Sequence, residues 1–225
     1  AAYGGIKLEE EVIQLPDVAK SRGEGKRRWN GVPEIKLLDK DGKETQVLGQ
    51  SNTCLRYIGK QAGLYPDNAL LAALVDEVLD STSDLSNASL PIALGAKDAE
   101  DKKTKAAEFC KEGGTLRYWL DKFVARIEEN AKRGNKNGLF VGDTLTIADL
   151  KFNGVGTYIY GMLPGGKAVM DEEKYKPLLK VFESVKSDEK IKAFNEQLQK
   201  NIAAYKEKPE NNVFKYNGKT VAGSF

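Results

Sequence analysis

Histidine is missing altogether from the 225 residues, and that absence removes more chemistry than any other feature of the chain. Without it, Ser-His-Asp and Cys-His catalysis are excluded, and acid or base work falls to Tyr, Lys, a carboxylate or a bound thiol. Cysteine is nearly as scarce: Cys54 and Cys110 stand far apart in the sequence, with no CxxC, so zinc sites of the Cys/His kinds are excluded and no metal is expected. So few cysteines fit a reducing, cytoplasmic compartment. Charge of one sign is also lacking. Thirty-five Lys+Arg against thirty-three Asp+Glu leave a formal charge of +2, too little to draw in nucleic acid or an acidic membrane. The longest apolar run, "ALLAALV" at 69–75, is far too short for a bilayer, and no leader-like pattern opens the chain. The expectation is a soluble protein whose anion sites, if any, are local.

What is present is a change of period. Residues 8–13 ("LEEEVI") and 34–38 ("EIKLL") read as strands, and "DKDG" at 39–42 turns into a further strand near 44–48, making a hairpin of 34–48. From Ser51 the pattern is helical: Cys54, Leu55 and Ile58 share one face, Asn52, Arg56 and Lys60 another, and Gly63 with Pro66 ends the helix. Leu71, Leu74, Val75, Val78 and Leu79 trace the next stripe. One long helix is expected over about 99–132, carrying Phe109, Leu116, Leu120, Phe123 and Ile127, before the polar loop "KRGNKNG". Thr146 with Asp149 three residues on is a capping box, with Leu145 and Leu150 as its hydrophobic staple. Phe152, Val155, Ile159 and Met162 then mark a buried central helix, whose three glycines suggest close packing. Helices at 175–186 and 188–206 and a polar, loosely held tail complete the chain. The organisation expected is a small α/β unit at 1–62, a linker at 63–67, an all-helical unit at 68–206 and a tail at 207–225.

Several residues stand out chemically. In "VLGQSNTCLRYIGK" a strand runs through Gly49 into Gln50-Ser51 and a helix, an arrangement that holds small anions because the first turn offers unpaired N–H groups and the positive end of its dipole. Ser51 equally fits a plain helix cap. Val32-Pro33 is either a cis bond or an ordinary trans proline opening an edge strand. The cluster "KRRWN" at 26–30 puts Lys26, Arg27, Arg28 and Trp29 together, suited to an anionic ligand, to solvent or, least of all, to RNA. Asp84 is one of several acids on its helix. Cys54 and Cys110 sit on apolar faces and read as core.

The order of these parts resembles the glutathione S-transferase family, closest to its sigma-like branch, from Ala1 to about Tyr205. The landmarks are "GVPEI" at 31–35, "GQSNTCLRYIGKQAGLYP" at 49–66, "VDEVLDSTSDL" at 75–85 and "FVGDTLTIADL" at 140–150. The resemblance implies an α+β protein, with a thioredoxin-like N-terminal domain followed by an all-α C-terminal domain, acting as a homodimer on glutathione as co-substrate and a small electrophile. It implies that Gln50 and Ser51 bind the γ-glutamyl carboxylate, that Pro33 is cis so that the Val32 backbone pairs with the cysteinyl part, and that Trp29, Arg28 or Lys26 holds the glycyl carboxylate. Asp84 would reach across the dimer toward the γ-glutamyl amine. Tyr118, Tyr158 or Tyr160 would stand near the electrophile or in the core. The family opens with a strand, a loop carrying a catalytic Tyr, Ser or Cys, and a helix. "AAYGGIKLEEEV" corresponds to the end of that helix and the second strand, so the catalytic residue is unknown and the domain is expected to lack its first strand. The expectation is a transferase recorded without its N-terminus; the alternative is a non-catalytic structural or interaction subunit of the same fold.

Overall fold

The computed structural model describes every residue except 1, 7–14, 30, 207–212, 217–218 and 223–225. After a 3-10 turn at Ala2–Gly4 come α1 (Leu15–Gly23), β1 (Glu34–Leu38), β2 (Glu44–Gly49) and α2 (Ser51–Gln61). There follow α3 (Ala69–Ala93), α4 (Ala99–Cys110), α5 (Thr115–Lys132), α6 (Ile147–Met162), the short α7 (Gly166–Met170), α8 (Lys176–Ser187) and α9 (Glu189–Lys206). Strands β3 (Val213–Tyr216) and β4 (Lys219–Ala222) come last. By their internal contacts the residues form two compact units, 1–62 with 189–225 and 63–188.

In the first unit the hairpin arises where the turn residues dictate it. The Asp39 carboxylate accepts from the Asp41 and Lys43 backbone N–H groups at 3.0 and 2.9 Å, and Gly42 takes the positive φ of 78° that the turn needs. Strands β1 and β2 then pair antiparallel, with Glu34 opposite Gly49 and Ile35 opposite Leu48. Helix α2 buries Cys54 and Gly59, and Gly63 at φ 71° lies just past its end. The strand expected at 8–13 falls outside the described residues. Helix α1 is absent from the sequence reading, although Pro16, Asp17 in the first turn and Lys20 and Arg22 in the last are helix signals. Its apolar period is too weak to announce it. Helix α9 packs on the 3-10 turn, where the Lys190 ammonium sits 4.6 Å from the centre of the Tyr3 ring. Within the polar tail, β3 and β4 pair antiparallel, with Val213 opposite Ala222 and Tyr216 opposite Lys219.

The second unit is helical throughout. Asn68 caps α3 by accepting from the Leu70 and Leu71 N–H groups at 3.0 and 3.1 Å. The single helix expected over 99–132 is two, α4 and α5, because Lys111 leaves the helical region and Gly113 adopts φ 70°. A Cβ on Gly114 would lie 2.7 Å from the Phe109 carbonyl oxygen, so the break requires a glycine there too. Apolar periodicity continues across this break and hides it.

Helix α6 is the buried centre, and its capping box is complete: Asp149, fully buried, accepts from the Thr146 N–H and hydroxyl at 2.8 and 2.9 Å and from the Phe140 N–H at 3.1 Å. Burial pushes this carboxyl above its ordinary range, and the backbone and hydroxyl donors pull it back. Around α6 the rings of Phe123, Phe140, Phe152 and Phe182 touch, with centroid separations of 4.9 Å for Phe123–Phe152 and 5.0 Å for Phe140–Phe152. Each such ring contributes roughly 2–3 kcal/mol through burial. Of the three helix glycines only Gly156 serves close packing, since its Cβ would meet Phe182 Cζ at 2.5 Å. Met162, expected on the buried stripe, is 65% exposed because α6 ends there.

Candidate functional site

The junction of β2 and α2 carries the one non-glycine residue with positive φ among the described residues, Gln50 at φ 72° and ψ 120°. An L-residue there is strained by about 1–3 kcal/mol, and such strain persists where surrounding structure enforces it, often at ligand clamps. Gln50 occupies the N-cap position of α2 but makes no side-chain cap bond, and Ser51 is the first helical residue. Neither side chain is spent on the helix, and both are exposed. The plain-cap role for Ser51 is therefore not adopted.

The register of the hairpin brings the two motifs together. Pro33 and Gln50 each lie one residue from the Glu34–Gly49 pair, and the Val32-Pro33 peptide bond is cis. Cys54 ties them from beneath: its N–H donates to the Gln50 carbonyl at 2.9 Å, and its Sγ lies 3.6 Å from the Leu48 carbonyl oxygen and 3.9 Å from that of Pro33. Burial pushes the Cys54 thiol up, only partly offset by the Ile35 backbone, which suits a core thiol rather than a nucleophile. Val32 remains 47% exposed.

The loop before the cis bond is sorted by structure in a way its composition does not reveal. Trp29 is 60% exposed, yet its indole lies against Gly49, where a Cβ would stand 2.7 Å from Trp29 Cδ1. The indole is thereby set against the residue that precedes Gln50 in the chain. Arg27 is turned inward: its Nη1 donates to Glu34 Oε2 at 3.1 Å and its Nε to the Ser21 hydroxyl at 3.2 Å. Glu34 Oε1 also accepts from the Arg28 N–H at 2.7 Å. The Arg28 side chain is exposed and has no ion pair among the described residues, while Lys26 pairs with Glu24 at 2.8 Å on the surface. Glu34 is the residue sequence reading missed here, along with its pairing to Arg27 and the contact of Trp29 with Gly49. The available signal was the charge complementarity of "RR" and "PE" across the loop.

The remaining candidates belong to the second unit. Asp84 is exposed on α3. Tyr118, 56% exposed, lines a cavity of about 350 Å³ between α3 and α5 together with Glu77, Ser81, Lys122 and Arg126. The Tyr160 hydroxyl donates to Asp171 at 2.9 Å, and burial pushes the Tyr158 hydroxyl up. Cys110 is buried, with its Sγ 3.7 Å from the Pro164 carbonyl oxygen. Among the described residues no three His, Cys, Asp or Glu side chains are grouped to hold a metal, and no helix is long and apolar enough to cross a membrane.

Known proteins share this family and fold. The family model described as Glutathione S-transferase, C-terminal domain matches residues 83–198. The Caenorhabditis elegans protein named Probable glutathione S-transferase 6 is 29% identical over 201 residues, covering 86% of this chain and 85% of that protein. Probable glutathione S-transferase 7 of the same organism is 31% identical over 181 residues, covering 76% of this chain and 75% of the other. A solved sigma class glutathione S-transferase from Fasciola hepatica superposes with a TM-score of 0.71 at 16% identity, over 87% of this chain and 86% of its own. The fold is accordingly a thioredoxin-like N-terminal domain followed by an all-α C-terminal domain, and the chain belongs to the glutathione S-transferase family.

Proposed function

We propose that the protein conjugates glutathione to small electrophiles, with the β2–α2 junction as the glutathione site. The observation that carries this reading is the strained Gln50 at φ 72° heading α2 without a side-chain cap bond, with the indole of Trp29 against the preceding Gly49. In this reading Gln50 and Ser51 hold the γ-glutamyl carboxylate at the positive end of α2, where a negative group is favoured. The Val32 backbone, presented by the cis bond to Pro33, pairs with the cysteinyl part. Trp29, with Arg28 or Lys26, receives the glycyl carboxylate; Arg27 has no part, its Nη1 and Nε being engaged by Glu34 and Ser21. Asp84 serves the γ-glutamyl amine of a partner subunit by charge pairing, which makes the active species a homodimer. In the reaction the glutathione thiolate supplies the electron pair of a new C–S bond, and the electrophile loses a leaving group or takes up a proton. A cytoplasmic location accords with the scarcity of cysteine.

Calorimetric titration with glutathione tests the site, and a chromogenic electrophile tests the reaction, both on protein purified from its native source. Gln50→Ala with Ser51→Ala removes two hydrogen bonds to a charged group, each worth about 1.5–3 kcal/mol, so affinity falls more than tenfold. Unchanged affinity moves the site elsewhere, and glutathione binding without turnover makes the protein a binding subunit instead.

A further inference from the structure

The geometry around Glu34 assigns it a task that neither the family match nor the sequence motif contains. We infer that Glu34 is the positioning residue that locks the loop bearing Arg28 and Trp29 onto the first residue of β1, and so holds the Trp29 indole against Gly49 in the glutathione site. The inference rests on the site proposed above. The Glu34 side chain is 7% exposed and that of Arg27 is 17% exposed, so the pair is largely shielded from water. Both carboxylate oxygens are used: Oε1 takes the Arg28 backbone N–H at 2.7 Å, and Oε2 takes Arg27 Nη1 at 3.1 Å. Arg27 Nε continues to the Ser21 hydroxyl at 3.2 Å, which donates to the Val18 carbonyl at 2.9 Å. One carboxylate thus joins the end of α1, the loop and the strand that follows the cis proline.

The consequence lies at the next residue. Trp29 follows directly on the backbone N–H that Glu34 grips, and its indole closes on Gly49, the strand partner of Glu34 itself. A charged acceptor makes such a hydrogen bond stronger than a neutral one, and removing it frees the Arg28 N–H and leaves Arg27 held by Ser21 alone. The indole then loses its fixed orientation, and a site held only loosely binds less well.

The protein contains two tryptophans, Trp29 and Trp119, so labelling with 5-fluorotryptophan gives two fluorine resonances, and Trp29→Phe identifies which is which. Glu34→Ala is expected to move the Trp29 resonance toward that of free fluorotryptophan while leaving Trp119 in place, and to raise the glutathione Kd by roughly tenfold. Arg27→Met removes one of the two arms and is expected to shift the same resonance less; it decides the matter if Glu34→Ala does not fold by circular dichroism. A Trp29 resonance and a Kd both unmoved in these variants overturn the inference, as does an equal shift of both tryptophans, which marks a general loss of structure. If the unaltered protein binds no glutathione, the site proposed above fails, and the Trp29 resonance alone decides whether Glu34 holds the loop.

Discussion

Gln50 shows how a single residue records two opposing demands. Its φ of 72° suits glycine, yet an amide side chain is kept there at the head of α2. Gln50→Gly relieves the backbone strain at some cost in unfolded-state entropy, so stability is expected to rise by about 1 kcal/mol. Glutathione affinity is expected to fall in the same variant, because the amide is lost. Thermal unfolding with calorimetric titration reads both quantities, and a protein that becomes less stable refutes the strain argument. The residue type was legible in the motif, but the strain was not, since φ at one position is set by how the strand meets the helix. Cys54 is the contrary case: its place on the apolar face of a helix was plain from spacing, and the buried thiol follows from it.

At the scale of elements, starts were easier to read than stops. Thr146 and Asp149 mark the head of α6 through local hydrogen bonds that need only four consecutive residues. Asp149 also reaches Phe140, however, so it anchors the preceding loop as well as the helix. Thr146→Ala should therefore cost about 1 kcal/mol, as a lost cap does. Asp149→Ala, which strands three donors in the core, should cost about 3 kcal/mol or more. Urea unfolding of the two variants checks the ranking, and equal losses contradict the anchoring role. The break between α4 and α5 went unread because apolar spacing continues through it, whereas Gly113 acts by its positive φ and Gly114 by leaving room for the Phe109 carbonyl.

For the whole molecule, the proposed homodimer predicts a sedimentation mass twice that of the denatured single chain. Asp84→Asn is expected to leave that mass unchanged while weakening glutathione binding several-fold, consistent with loss of one charge-assisted hydrogen bond. A chain that sediments singly with full affinity removes Asp84 from the site. Sequence alone determined the order of parts: a hairpin set by Asp39 and Gly42, a helix beginning at Ser51, and helical stripes thereafter. Those features rest on interactions between residues close in the chain. Tertiary structure decided what depends on distant partners: that Glu34 claims Arg27 and leaves Arg28 outward, that Trp29 lies on Gly49, and that α9 joins the first compact unit. Like charges side by side in a sequence are equivalent until folding places one of them beside a buried carboxylate, and only then do their roles separate.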